Sequence, residues 1–302
     1  MRRSLLFLSL ALLAVTAQAW QTPMQTPSVA GRMSSQSLLR MSTDMTSAEA
    51  VPFVRPPRVI RDVLPVLYCY DHCPFCVRVR VGLGLKNIKH RLVFLANDDI
   101  ETPTALIGKK ITPIFDWEEA NVCMPESLDI IQLTDTDERF GTPGLFLAAT
   151  GRTDLKEWQA SVRDLLRVLQ RPRYVATGLM PEFQQLDARH AFIRNHQMPP
   201  YEKAEWKLLE EQVQLQGYAE AMAADPADNV EELNRKLVEL DDIVFSEHYC
   251  SAGGLSYDDI DLWSRLRSIT IVKGVEWPRK LRNYMDNLSE LADVPLYDEM
   301  AM

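Results

Sequence analysis

An α/β domain followed by an all-α domain is the fold class that the sequence predicts, on three observations. Strand-like and helix-like stretches alternate from Leu64 to Asp137, two cysteines two residues apart sit where the first strand hands over to the first helix, and apolar residues recur at three-and-four spacing from Leu155 onward. A length of 302 residues suits about two domains.

The first strand is expected over Leu64 to Tyr70, and the helix after Cys73 runs to Lys86-Asn87, with Gly82 and Gly84 weakening it while allowing close packing. His90 to Leu95 supplies a second strand, completing a βαβ unit of about thirty residues. Thr102-Pro103 reads as an N-cap followed by proline at the first helical position, opening a short helix that ends at Gly108. Lys109 to Trp117 is strand-like around Pro113, a residue that a central strand should not contain. Val122 to Met124 forms a return strand, and Pro125-Glu126-Ser127 opens a helix carrying Leu128, Ile130, Ile131 and Leu133. The order β-α-β-α-β-β-α is that of the thioredoxin fold. Residues 64–137 are assigned to it, 138–153 to a linker, and 154–302 to the all-helical domain. In that domain Leu155, Trp158, Val162, Leu165, Leu166 and Leu169 form one stripe, Trp206, Leu209 and Val213 mark another helix, and Val230 to Val244 a third. Ser256 and Asp259 have capping-box spacing, with Leu255 and Ile260 placed as a hydrophobic staple.

Cys73 and Cys76 carry the chemistry. At a helix N-terminus the unpaired N–H groups and the macrodipole favour an anion, so Cys73 is expected exposed, acidic and nucleophilic; Cys76, one turn on, can close a disulfide and expel what Cys73 has bonded. Pro74 suits the first turn. Half of a structural zinc site is the rival reading, but Cys69, Cys123 and Cys250 are isolated and the five histidines offer no ligand pair, so no metal is expected. Cys69 and Cys123 are expected on strands and Cys250 near a loop, none of them catalytic.

A formal charge of −9 argues against nucleic acid or anionic lipid as a general partner. The acidity belongs to the body, since the first fifty residues hold four arginines against Asp44 and Glu49. Residues 1–50 read as an address: Arg2-Arg3, an apolar run from Leu5 to Val15 too short for a bilayer, and Ala17-Gln18-Ala19 as a cleavage site, then an acid-free stretch to Thr43 with the composition of a transit peptide. This resembles the two-part plastid presequence of algae with secondary plastids. A secreted or endomembrane-lumen protein with a disordered N-terminus is the alternative, and no stable membrane association is expected once the presequence is removed. Residues 51–63, with Pro52, Pro56 and Pro57, form an extended lead-in.

Tyr70-Asp71-His72-Cys73-Pro74-Phe75-Cys76, Gly84-Leu85-Lys86-Asn87-Ile88, Asn97-Asp98-Asp99, Thr112-Pro113-Ile114, Met124-Pro125-Glu126-Ser127-Leu128, Leu255 to Ile260 and Trp277-Pro278 together resemble the glutaredoxin 2 family of large bacterial-type glutaredoxins. The resemblance implies a glutathione-transferase-like architecture, a thioredoxin-fold domain plus an all-α domain. It also implies glutathione as reductant: Thr112-Pro113 as a cis-proline segment against its cysteinyl part, Glu126-Ser127 for its γ-glutamyl end, and Lys110 for its glycine carboxylate. Phe75 departs from the tyrosine of many glutaredoxins. The expected function is thiol-disulfide oxidoreduction on disulfide-bonded or glutathionylated proteins by a monomer. Its rivals are a glutathione transferase conjugating electrophiles and a glutathione-liganded iron-sulfur carrier; the cysteine at 73 weighs against the first, Pro74 and the second cysteine against the other.

Overall fold

The computed structural model describes residues 50–224 and 227–302. The signal-like and transit-like segments up to Glu49 lie outside the described residues. Four strands form one mixed sheet: β1 (Val66–Cys69), β2 (Arg91–Phe94), β3 (Ile114–Trp117) and β4 (Val122–Pro125), in the order β2-β1-β3-β4. β2 runs parallel to β1, whereas β3 pairs antiparallel with both β1 and β4. Leu67 and Cys69 point into the core from β1, Phe115 and Trp117 from β3.

Between β1 and β2 runs α1 (Pro74–Leu85), wholly buried from Cys76 onward because neighbours cover it on several sides. These are α3 (Ser127–Thr136) of the same domain and, from the helical half, α9 (Tyr257–Leu266) and α10 (Arg279–Ala292). Gly84 makes the last contact possible: a Cβ there would lie 1.8 Å from the Ala292 carbonyl oxygen. The remaining helices are α2 (Glu101–Ile107), α4 (Thr153–Thr177), α5 (Leu186–Asn195), α6 (Lys203–Leu208), α7 (Glu211–Ala223) and α8 (Ala227–Ile243). This is a thioredoxin-like domain joined to a helical domain, the glutathione-transferase-like fold.

Several boundaries differ from expectation for physical reasons. Helix α2 starts at Glu101, not after Thr102, because the Asp99 carboxylate accepts the Thr102 N–H at 2.9 Å and takes over the capping. Gly108, at φ 77°, ends it as expected. The third strand is shortened to Ile114–Trp117 and starts directly after the cis Thr112-Pro113 peptide, where proline has no N–H to give a sheet. Pro125 closes β4 instead of opening α3, which begins after Glu126 at φ 75°. The helix around Trp206 is two helices broken at extended Leu209 and Glu210; Gln214 bridges the break, donating from its side chain to the Trp206 carbonyl at 2.7 Å. Val213 is exposed, because the stripe does not continue across the break. The Ser256–Asp259 capping box is present, with Leu255 and Ile260 both buried beside it.

After a 3-10 turn at Glu138–Phe140, the chain is irregular as far as Arg152, the residue before α4, yet it is pinned. Asp135 accepts the Leu145 N–H at 2.9 Å and the Lys86 ammonium at 3.2 Å, and Leu147 exchanges backbone hydrogen bonds with Leu255 and Tyr257. Phe140 and Phe146 are buried, so this stretch is packed into the core.

Candidate functional site

Cys73 is the N-cap of α1, its backbone extended and its carbonyl accepting the Val77 N–H at 2.9 Å. Its side chain is partly exposed, whereas Cys76 is buried and receives the Tyr70 N–H on its sulfur at 3.4 Å. Both are free thiols. The Cys73 thiol is lowered to about 6, chiefly by the hydrogen bond that Cys76 donates to its sulfur; burial opposes this, and His72 with the Cys76 and Phe75 N–H groups adds to it. The same pairing, with burial as the larger cause, pushes Cys76 well above the ordinary thiol range. The N–H groups of the helix N-terminus, the cause expected from the sequence, contribute behind the neighbouring thiol.

The loop before Cys73 is gripped by the helical domain. The Glu182 carboxylate, fully buried, accepts both the His72 backbone N–H at 2.8 Å and its Nδ1 at 2.7 Å. The imidazole lies in an aromatic box of Tyr70, Tyr174, Phe183 and Phe192. Asp71 is held between Arg80 of α1 and Arg267, and its carbonyl accepts from Arg267 and the Tyr297 hydroxyl, each at 2.8 Å. Burial raises its carboxyl pKa, but the two guanidiniums outweigh that and leave it below the ordinary value.

Cys73 opens into a cleft of about 470 Å³ between the two halves, which Thr112 lines together with Tyr70 and Asn97 on one side and α4 on the other. Pro113 is buried behind Thr112. Ser127 is buried at the start of α3, 3.5 Å from Arg78 of α1, which also pairs with Asp261 of α9. Glu126 is exposed beside it. Lys110 donates to the Asn97 carbonyl, so its ammonium is already engaged at the edge of the cleft. Thus Cys73 and Thr112 share the cleft, Cys76 lies beneath it, and Lys110, Glu126 and Ser127 stand outside its lining. Cys69 and Cys250 are buried with raised thiol pKa values, Cys69 to about 12, mainly through burial. Cys123 departs from that pattern, exposed on the edge strand β4.

A family model described as glutaredoxin 2, C-terminal domain, matches residues 154–301. Glutaredoxin 2 of Escherichia coli is 32% identical over 238 residues, 78% of this chain and 99% of that protein. The chain belongs to the glutaredoxin 2 family. The crystal structure of glutaredoxin 2 from Salmonella typhimurium, in complex with glutathione, is 34% identical, covers 79% of this chain and 99% of that one, and superposes with a TM-score of 0.65.

Within this glutaredoxin 2 fold, the groups that sequence reasoning missed come mostly from the helical half: Glu182, Tyr174, Phe192, Arg171 and Arg267. Glu182 lies 110 positions from His72 and Arg267 lies 196 from Asp71. No spacing rule reaches that far. The one available signal was Asp71 itself, an acid at the end of the apolar run Val66 to Tyr70 and two residues before Cys73.

Proposed function

We propose that this chain is a glutathione-dependent thiol-disulfide oxidoreductase with Cys73 as nucleophile and Cys76 as resolving thiol. The observation that carries the reading is the acidic Cys73 at the mouth of the cleft, hydrogen-bonded by a buried Cys76 that remains a thiol. With a pKa near 6, Cys73 is largely thiolate at neutral pH. It attacks the glutathione sulfur of a protein–glutathione mixed disulfide, expels the protein thiolate and becomes glutathionylated; a second glutathione thiolate then attacks that bond, releasing oxidised glutathione and Cys73 thiolate. On a protein disulfide, Cys73 forms the mixed disulfide with one protein sulfur and Cys76 attacks Cys73, releasing the dithiol protein and leaving a Cys73–Cys76 disulfide. Two glutathiones reduce it. Once Cys73 is in a disulfide its negative charge is gone, removing one of the influences that keep Cys76 protonated.

Family membership, and the glutathione held by the Salmonella relative, support glutathione as co-substrate. In this chain it would lie along Thr112-Pro113, with Glu126-Ser127 facing its γ-glutamyl end, where the α3 N-terminus offers N–H groups. Lys110 would reach the glycine carboxylate by leaving the Asn97 carbonyl.

Two variants test the assignment. Cys76→Ser should keep deglutathionylation of a model mixed disulfide and lose reduction of protein disulfides, whereas Cys73→Ser should abolish both. Equal losses from the two would show that the thiols are not ordered this way. Residues 1–50, which read as a plastid address, should carry a fluorescent reporter into the plastid of a secondary-plastid alga; a secreted reporter overturns that reading.

A further inference from the structure

The cleft beside Cys73 is lined by Arg163, Arg167, Arg171 and Arg265 and by no aspartate or glutamate, in a chain whose formal charge is −9. The first three recur every four residues along one face of α4. They span about 12 Å, the reach of three to four residues of extended chain. Their counter-charge is incomplete. Arg163 and Arg167 share the single carboxylate of Asp164, at 3.4 and 2.9 Å, and Arg265 shares Asp261 with Arg78. Arg171 donates to the Gln197 carbonyl and enters no ion pair among the described residues. Burial pushes its pKa down, the mark of a guanidinium short of both water and a counter-ion. Between Arg163 and Arg167, the half-buried Leu166 offers apolar contact.

We propose that this face of α4 receives an acidic polypeptide segment flanking the disulfide or glutathionylated cysteine that Cys73 attacks. The proposal rests on the oxidoreductase reading and names its substrate class. A polypeptide fits better than a second small thiol, because the basic strip runs along about two turns of α4, on the side of the cleft across from Thr112, where glutathione itself is placed. An acidic ligand must also approach a molecule of net negative charge, so any preference for it has to come from a local basic surface.

The test uses three peptides alike except for aspartate, serine or lysine flanks around one cysteine. Their binding to the Cys73→Ser protein is followed by fluorescence anisotropy, and turnover of the glutathionylated forms by the unmodified protein. The aspartate peptide should bind and turn over about tenfold better than the lysine peptide at low salt, with most of the difference lost at about 0.5 M salt. Arg163→Gln with Arg167→Gln, both on the accessible face, should shrink the aspartate-to-lysine ratio several-fold; Arg171→Gln should do the same and Arg171→Lys restore it. Equal handling of the three peptides, or an undiminished ratio in the double variant, overturns the proposal. Charge-selective binding without turnover of any mixed disulfide overturns the oxidoreductase reading instead, and turnover without charge preference spares that reading while removing this one.

Discussion

At the scale of single residues, the acidity of Cys73 turns on its neighbouring thiol. Because the Cys76 thiol is the largest influence holding Cys73 down near 6, the rate of Cys73 alkylation should rise through about pH 6 and level off above it. In Cys76→Ala the midpoint should move up toward the ordinary thiol range; an unmoved midpoint would show that His72 and the helix N-terminus acidify Cys73 without the second thiol. The same shift has a consequence for stability. A folded-state pKa below that of the unfolded thiol contributes stability that is fully present above about pH 8.5 and lost as pH falls through about 6. The urea midpoint of the reduced protein should therefore rise between pH 6 and 8.5 by more than that of Cys73→Ser.

At the scale of elements, α1 is marked as a helix by the strand handover and by Pro74 at its first turn, and not by its side-chain period. Val77, Val79, Val81, Leu83 and Leu85 alternate with Arg78, Arg80, Gly82 and Gly84, which by period alone is a strand. The segment is a helix because α3, α9 and α10 surround it, so no face needs to be polar, and its two arginines are buried against Asp261 and Asp71. The glycines are the contact points. Gly84→Ala should destabilise by about 1–3 kcal/mol despite its better helix propensity, because the group it meets is the Ala292 backbone carbonyl, which cannot rotate away. Gly82→Ala should cost less than half as much, since its new methyl meets only the Ile131 side chain at 3.2 Å. Thermal unfolding of the two variants checks the order, and equal losses would mean that helix propensity, not contact, governs both.

At the scale of the whole molecule, the helical half serves as a clamp on the loop before Cys73. Asp71 lies between Arg80 and Arg267, two guanidiniums from the two halves, and both are buried. Asp71→Asn leaves them without their shared carboxylate and should cost about 3–5 kcal/mol of stability at neutral pH. The lowered Asp71 pKa sets the sign with pH: its contribution is present above about pH 4 and lost as pH falls through the depressed folded value. The variant has no such contribution to lose. Denaturation curves of the two proteins should therefore converge on acidification and stay apart from pH 5 to 8; a gap independent of pH would mean that the asparagine acts through packing alone.

The sequence by itself determined what depends on near neighbours. The strand-helix handover at Cys73, the capping box at Ser256 and Asp259, and the stripe of α4 each rest on residues within a turn or two of one another, where backbone hydrogen bonding and side-chain period leave few alternatives. The sequence of strands and helices along the chain was legible in the same way, whereas the antiparallel pairing of β1 with β3 is a long-range contact. Only the tertiary structure decided what faces Cys73. Glu182 beneath His72, the arginines of α4 across the cleft and the Asp71–Arg267–Tyr297 grip come from segments far apart along the chain. Electrostatic and hydrogen-bonded partners are chosen by distance in space, and no local periodicity encodes that distance.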